Sequence, residues 1–319
     1  MELRASTCPS SLKEIRITKR VVLMSDDGSI GMDENSSGRL FLRISAWLPL
    51  RLQRWLAAMI AGLVHLAGWR KLEIVNANLA RAYPEAPHDQ VERTCRANTR
   101  EMVRTLLECG PAWQRSQAWV QRHIVEIRGR RHVETPLQAG KGVLVLGGHL
   151  GNWEVSILYG SLTLPIAYLY KPPRSKKADQ LLTGYRSRFD GEMIATGGAA
   201  MRRAVRRLRG GQAVGMLFDQ LPRGGDSVQA PFFGQSVATM TLPHRLIQAT
   251  GCAVVMGHCL RAGDAWKIRF DPVPDADHPD PEVAAAAMNR ALEKVVRDAP
   301  AQYLWQYRRF QALPERKPR

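Results

Sequence analysis

The chain has 319 residues, of which 45% are hydrophobic and 24% are charged. This composition can bury a sizeable core and excludes global disorder, and the length fits one main α/β domain without requiring two. The 46 Lys and Arg residues against 29 Asp and Glu residues give a net charge of +17, which favours a polyanionic partner such as nucleic acid, anionic lipid headgroups or an acidic carrier protein.

The five cysteines are scattered without C-x-x-C spacing, and no secretory h-region precedes them. This pattern indicates a reduced, cytosolic setting and argues against a zinc site built on cysteines.

The first 70 residues divide into two segments of different character. Residues 1–38 carry Ser, Asp, Gly and charges around one short apolar run, VVLM, and predict a disordered extension. Residues 39–70 are rich in Leu, Ala and Trp with interleaved arginines, and predict a membrane-associated helical segment. Its longest stretch without a formal charge, Trp55 to Trp69, is 15 residues, or about 22 Å of helix against a hydrocarbon layer of about 30 Å. We therefore expect an interfacial or partly inserted helix, with a buried core helix as the alternative.

Two helices are predicted next: RKLEIVNANLARAY, which ends at Pro84, and HDQVERTCRANTREMVRTLLECG, for which Gly110 supplies a stop. Strands and helices then alternate. The predicted strands are GVLVLG, GQAVGMLF, CAVVMGH and WKIRF, and the predicted helices are ADQLLTGYRSRF, AAMRRAVRRLRGG, TLPHRLIQATG and PEVAAAAMNRALEKVVRD. This alternation predicts an α/β domain over residues 71–312, with a mostly parallel central sheet flanked by helices. Residues 313–319 form a basic tail.

The stretch GKGVLVLGGHLGNWE, residues 140–154, places a histidine and a glutamate where a predicted strand stops. His149 and Glu154 can meet if the histidine sits in the turn and the glutamate in the first turn of the next helix. Gly147 and Gly148 permit the turn, and Asn152 is a suitable N-cap. A carboxylate beside an imidazole fixes its tautomer and makes it a better general base. The helix N-terminal amides could also stabilise developing negative charge.

Two other interpretations of these residues remain open. In the first, His149 merely ends a strand and Glu154 merely occupies the favourable first turn of a helix. In the second, the pair binds a metal, but a histidine and a glutamate lack the third protein ligand of a catalytic zinc site, and the sequence has no H-E-x-x-H.

Four ordered stretches resemble the bacterial lipid A biosynthesis (late) acyltransferase family, within the H-x4-D/E lysophospholipid acyltransferase superfamily. GGHLGNWE is similar to its H-[FL]-G-N-W-E form, AYLYKPPRSKKADQLL to a Y-[RK]-P-x-[RN] segment, GQAVGMLFDQLPRGGDSVQAPFFGQSVATMT to a G-x-x-[VI]-G-x-x-x-D…P-F-F-G segment, and APAQYLWQYRRF to a terminal P-[EA]-Q-Y-x-W-x-[HY]-R-R-F. The likeness covers about residues 39–310, and four motifs in order are far more specific than one.

The resemblance implies an O-acyltransferase that needs no metal and no cofactor. In it His149 deprotonates a hydroxyl of a lipid A precursor, which attacks the thioester of an acyl carrier protein, while Glu154 orients the histidine. Lys171 and Arg174 would bind acceptor phosphate or stabilise the oxyanion, and Asp219 would face the site from a strand end. The implied substrate-binding positions are Asn152, Tyr170, Lys171, Arg174, Asp219, Gln220, Arg308 and Arg309. Solvated-loop and structural roles remain the alternatives for the cations.

Two further features bear on partners. The run MRRAVRRLRGG puts five arginines on one helix, which is either a docking surface for an acidic carrier protein or a solvated basic face. PFFG, residues 231–234, is expected near the acyl chain or in the core. The implied location is the cytoplasmic face of the inner membrane, without nucleic acid as a partner.

Other functions stay open at this stage. An acyltransferase of another lipid acceptor, such as an ornithine lipid, a phosphatidylinositol mannoside or a lysophospholipid, shares parts of the motif. The sequence DQLP stands where some family members carry a second His-Asp, which leaves the acceptor and the acyl length undetermined. A basic membrane-binding or nucleic-acid-binding protein would show interleaved basic and aromatic residues or a helix-turn-helix, and neither is found.

Overall fold

The computed structural model describes residues 36–221 and 226–310. The predicted disordered extension lies outside these residues except for positions 36–38, which begin a helix. The predicted basic tail lies outside them entirely.

The described residues form one large sheet and one hairpin. The strands are β1 (Ile124–Arg128), β2 (Val143–Gly147), β3 (Ile166–Tyr170), β4 (Glu192–Ala195), β5 (Ala213–Leu217), β6 (Ser227–Phe232), β7 (Gln235–Met240), β8 (Ala253–Ala262) and β9 (Ala265–Pro272). The large sheet has the order β1-β9-β8-β2-β5-β3-β4, in which only β8 and β9 pair antiparallel. The predicted mostly parallel sheet is therefore confirmed, and β6 and β7 form a separate hairpin.

Helices cover both faces of the large sheet. They are α1 (Ser36–Trp47), α2 (Leu50–Leu66), α3 (Lys71–Ala82), α4 (His88–Gln114), α5 (Gln117–Arg122), α6 (Arg131–Gln138), α7 (Trp153–Thr163), α8 (Lys176–Arg186), α9 (Ala200–Arg209), α10 (Leu242–Thr250) and α11 (Pro281–Asp298), followed by a 3₁₀ turn at Pro300–Gln302. The apolar residues of α9, α10 and α11 pack with Leu144 and Leu146 of β2 on one face. Those of α1, α2, α4, α6, α7 and α8 pack with Val143 on the other.

The helix predicted to stop at Gly110 continues instead to Gln114, through Pro111. A Cβ added at Gly110 would lie 2.0 Å from Ser45 Oγ and 2.7 Å from Leu42 O on α1. The glycine therefore permits α1 to cross α4 closely, and the contact outweighs its low helix propensity. The stop prediction was wrong because a glycine serves helix packing as readily as helix termination.

The predicted membrane-associated segment, residues 39–70, is two helices, α1 and α2, which pack on α4. Pro49 separates them, because a proline is favourable just before a helix but not within one. Within residues 36–221 and 226–310, no helix combines the length and apolarity that a bilayer crossing requires.

Candidate active site

The turn between β2 and α7 is packed so closely that a side chain would not fit at two of its glycines. A Cβ at Gly148 would lie 2.6 Å from Leu292 Cδ1, and one at Gly151, which has φ +62°, would lie 2.0 Å from Cys259 O. Asn152 then caps α7, because its Oδ1 accepts the Val155 N–H at 3.1 Å. The predicted strand, turn and helix with Asn152 as N-cap are confirmed, and His149 lies inside the turn.

The neighbouring strand β5 supplies the carboxylate that contacts this histidine. Strands β2 and β5 are parallel with Gly147 opposite Leu217, so the residues that follow both strands emerge side by side at the carboxyl edge of the sheet. There Asp219 Oδ1 lies 2.7 Å from His149 Nδ1, and Asp219 Oδ2 accepts the His149 backbone N–H at 2.8 Å. The ring orientation is thereby fixed by two bonds to one buried side chain.

Asp219 is held as a carboxylate. Burial alone would raise its pKa, but the attraction of His149 and the hydrogen bonds from that residue outweigh burial, and the pKa of Asp219 is lowered. An ionised carboxylate can only accept, so Nδ1 of a neutral imidazole carries the proton and Nε2 keeps its lone pair. Gln220 Nε2 lies 3.3 Å from His149 Nε2 and can donate to that lone pair.

Glu154 does not contact the imidazole, which corrects the predicted pairing. Its carboxylate is fully buried and accepts from Arg186 Nε at 2.9 Å, from Arg186 Nη2 at 2.5 Å and from Trp113 Nε1 at 3.1 Å. Burial alone would lower the pKa of Arg186, but Glu154 outweighs burial and the pKa is raised. Glu154 lies in the first turn of α7, and its donors are Trp113 of α4 and Arg186 of α8. It ties three helices together beside the turn.

An apolar wall surrounds the imidazole on its other side. The Trp153 ring stands edge-on to it, with ring centroids 5.3 Å apart. Trp153 packs with Met102 and Leu304, and Leu217 and Tyr307 lie against this group. The backbone of Leu304 donates to His149 O at 2.9 Å, so the C-terminal segment also fixes the turn. Such a wall excludes water around the base.

Asn152 is corrected from a substrate-binding residue to a structural one. It is fully buried, and its Nδ2 donates to Glu108 Oε2 at 2.8 Å. The same oxygen accepts from Arg261 Nε at 2.8 Å, while Glu108 Oε1 lies 3.4 Å from Arg104 Nη2. This buried ionic network joins α4, β8 and the N-cap of α7. The sequence reasoning missed it, because Glu108 and Arg104 have the i, i+4 spacing of an ordinary exposed helix pair.

Arg309 is likewise corrected from phosphate binding to a structural role. Its side chain is 1% exposed, and it donates to Ala238 O, to Thr239 Oγ1 at 3.1 Å and to Asn289 Oδ1 at 3.2 Å. Burial lowers its pKa, against the opposing effect of Tyr303 and Asp219. A guanidinium enclosed between the hairpin and α11 has no face left for a substrate phosphate.

The other predicted positions differ in exposure. Tyr170, at the end of β3, is half-buried and donates to Asp179 Oδ1 at 2.9 Å. Lys171 and Arg174 are exposed in the loop that follows, on the same edge of the sheet as His149, and Arg308 is exposed near the end of the described residues. The phenylalanines of PFFG, Phe232 and Phe233, are buried in the main core. The structure thus brings together His149, Asp219 and Gln220, and the substrate-binding roles of the exposed cations stay predictions.

The chain is similar to known acyltransferases over most of its length. The sequence profile described as bacterial lipid A biosynthesis acyltransferase matches residues 35–312. A lipid A biosynthesis palmitoleoyltransferase of Escherichia coli (strain K12) is 29% identical over 249 residues, which are 77% of this chain and 80% of that protein. A lipid A biosynthesis lauroyltransferase of the same strain is 27% identical over 78% of this chain and 82% of its own length. A phosphatidylinositol mannoside acyltransferase of Mycolicibacterium smegmatis is 28% identical over 65% and 69%. The chain therefore belongs to the bacterial lipid A biosynthesis acyltransferase family.

Proposed function

We propose that this protein transfers a fatty acyl chain from the thioester of an acyl carrier protein to a hydroxyl of a lipid A precursor. The observation that carries the proposal is the pair formed by His149 and Asp219, whose Nδ1 to Oδ1 distance is 2.7 Å. Membership of the family supplies the reaction class, and the pair supplies a general base that is already oriented.

In the proposed reaction His149 Nε2 takes the proton of the acceptor hydroxyl as its oxygen attacks the thioester carbonyl carbon. The tetrahedral oxyanion then collapses, the C–S bond breaks, and the imidazolium returns the proton to the departing thiolate. Asp219 stabilises the imidazolium that forms between these steps. The acceptor hydroxyl replaces Gln220 as the partner of Nε2, and the positive end of the α7 dipole lies close to the developing charge.

Exposed cations at the carboxyl edge support a phosphorylated acceptor. Lys171 and Arg174 lie in the loop after β3, next in the sheet to the strand that leads to Asp219. Arginine and lysine both bind phosphate, arginine with two parallel hydrogen bonds. We assign these two residues, with Arg308, to the headgroup of the acceptor, and Tyr170 to the positioning of their loop.

We propose further that α1 and α2 attach the protein to the cytoplasmic face of the inner membrane. Eight of the large hydrophobic side chains that are exposed in the described part of the chain lie on these two helices: Leu40, Ile44, Trp47, Leu52, Trp55, Met59, Leu63 and Leu66. Their spacing of three and four residues makes a stripe along each helix. An apolar stripe with tryptophans and flanking arginines is typical of a helix lying in the membrane interface.

The transfer reaction itself tests the proposal. Labelled acyl carrier protein thioesters of several chain lengths are incubated with a panel of lipid A precursors and the wild-type protein, with His149→Ala, and with His244→Ala as the control at a half-buried histidine of α10. We expect His149→Ala to lose about 10²–10⁴-fold in turnover and His244→Ala to retain it. A folded His149→Ala protein with wild-type turnover would show that this residue is not the base.

Mass spectrometry of lipid A from a deletion strain identifies the acyl chain in the cell. A spectrum with one chain missing supports the acceptor, and a spectrum unchanged from the parent excludes it. The second candidate acceptor is a phosphatidylinositol mannoside or another glycolipid, which the similarity to the Mycolicibacterium smegmatis acyltransferase favours. The same assay with mannoside acceptors distinguishes the two.

A further inference from the structure

Helix α9 carries a dense positive charge that internal ion pairs neutralise only in part. Arg203 and Arg207 both pair with Glu192, and Arg209 donates to Ala249 O at 2.9 Å. Arg202 and Arg206 are exposed, and neither has a hydrogen-bond or ion-pair partner among the described residues. These two guanidiniums, one helical turn apart, therefore present uncompensated charge on one face.

A shallow surface depression lies between side chains of the same helix. It is lined by Met201, Arg202, Val205, Arg206 and Arg209. The two apolar side chains lie half-buried between exposed arginines. An apolar centre with a charged rim is the usual anatomy of a protein interface.

The position of α9 separates this surface from the bilayer. Its inner residues Ala200, Ala204 and Leu208 pack on the face of the sheet that α10 and α11 cover. Leu42 of α1 and Leu50 of α2 pack on the opposite face. When the exposed stripe of α1 and α2 lies on a membrane, the arginines of α9 are held on the far side of the sheet.

The direction of α9 places one end of this surface at the same edge of the sheet as His149 and Asp219. The helix joins β4 to β5, and both strands are parallel to the β3 between them. Its N-terminal turn, with Arg202, therefore lies at the carboxyl edge of the sheet, where β5 leads to Asp219. A donor seated on this turn is beside the edge that holds the catalytic pair.

We infer that the α9 surface, defined by Met201, Arg202, Val205 and Arg206, docks the acidic protein that carries the acyl thioester. The inference rests on the proposed function, because it names where the donor of that reaction binds. Negative residues of the carrier face Arg202 and Arg206, an apolar side chain of the carrier covers Met201 and Val205, and its acyl arm extends over the carboxyl edge. Opposite charges at such a rim accelerate encounter and make it salt-dependent.

The test compares two donors that differ only in the carrier. The full chain and the variant Arg202→Glu/Arg206→Glu are assayed with acyl carrier protein thioester and with the same acyl group on N-acetylcysteamine. Arg122→Glu/Arg131→Glu, at exposed arginines of α5 and α6, is the control with an equal change of charge. With the carrier donor, we expect the kcat/KM of the α9 variant to fall about tenfold and to depend less on salt concentration. With the small donor, we expect the variant to keep the wild-type rate.

The outcomes separate the two proposals. Wild-type protein that transfers from neither donor contradicts the proposed function. An active wild type whose α9 variant keeps its kcat/KM with the carrier overturns the docking surface, and so does an equal loss in the control variant. A loss of binding to anionic vesicles in the α9 variant, without a change in carrier kinetics, would assign the arginines to the membrane and likewise overturn the inference.

Discussion

Two acidic side chains near the imidazole have separate tasks, and single substitutions distinguish them. Asp219 accepts a hydrogen bond from the proton-bearing Nδ1 of His149 and stabilises the imidazolium that forms in the reaction. Asp219→Asn keeps a similar shape, but an amide removes the negative charge and can present a donor to Nδ1. We expect turnover to fall about 10²–10⁴-fold while KM for the acceptor changes little. Steady-state kinetics with acyl carrier protein thioester measure this. Near-normal turnover in a folded Asp219→Asn protein would mean that the imidazole needs no carboxylate.

Glu154→Gln should act through stability more than through the chemical step. The substitution leaves the Arg186 guanidinium, whose side chain is 12% exposed, without its counter-charge. Removing one partner of a buried pair costs about 3–5 kcal/mol. Denaturant unfolding measures the loss, and the double variant Glu154→Gln/Arg186→Met should recover part of it because no charge is left buried. A single variant as stable as wild type would contradict a clamp between helices.

The sequence predicted the position of His149 but not its partner. A strand, two glycines, an N-cap and a helix are local signals, and each lies within a few residues of the next. The partner depends on Gly147 standing opposite Leu217, which is a register between strands some 70 positions apart. No periodicity within either segment records that register. Arg186 was missed for the same reason, because its partner Glu154 lies on another helix.

Among the elements, helix α2 carries two opposed stripes. Leu50, Gln53, Ala57 and Ala61 face α4 and are buried, whereas Leu63 and Leu66 are 62% and 87% exposed. This separation explains why sequence reasoning could not choose between a core helix and an interfacial helix. The segment is apolar on both sides, and only its packing on α4 shows which side remains uncovered.

Leu63→Glu/Leu66→Glu should weaken membrane binding without unfolding the protein, because the side chains make few contacts in the fold. Two charges in the interface oppose insertion. Flotation with phospholipid vesicles measures the bound fraction, and circular dichroism checks the fold. Val283→Glu, at an exposed apolar residue of α11 on the other layer, is the control for adding a negative charge away from the stripe. Equal vesicle binding by wild type and the α2 variant would contradict attachment through this stripe.

Three central strands were predicted from the sequence, whereas the central strand β3 and the edge strands β1 and β4 were not. Strands β2, β5 and β8 are buried on both faces and have continuous apolar runs, so their positions follow from the sequence. β1 has a glutamate at its centre, and β4 has four residues at the sheet edge. Neither shows an alternating or continuous apolar pattern long enough to be distinguished from a loop.

The whole molecule is a sheet whose two faces have different surroundings. The layer with α1 and α2 presents an apolar stripe flanked by arginines, the layer with α9 presents arginines around Met201 and Val205, and the carboxyl edge between them holds His149. Under the two proposals above, a lipid acceptor would approach along one layer and a protein donor along the other.

The buried histidine of β8 should make the stability of the whole fold depend on pH. His258 is 8% exposed, and its Nδ1 has no partner among the described residues. Burial lowers its pKa to about 4, with Asp271 and Asp298 opposing this shift and Arg269 adding to it. The folded state thus stays unprotonated where the unfolded histidine, with a pKa of 6.5, takes up a proton. The stability that the neutral His258 contributes is fully present well above pH 6.5 and is lost as the pH falls toward 4.

From pH 7 to pH 5 we expect this one group to lower the free energy of unfolding by about 2 kcal/mol. Urea unfolding at pH 7, 6 and 5 measures the slope, and His258→Leu should flatten it. The pKa of His65 is also lowered by burial, so His65→Gln is the control that removes the smaller contribution. A slope in His258→Leu as steep as in wild type would contradict a buried neutral imidazole at this strand.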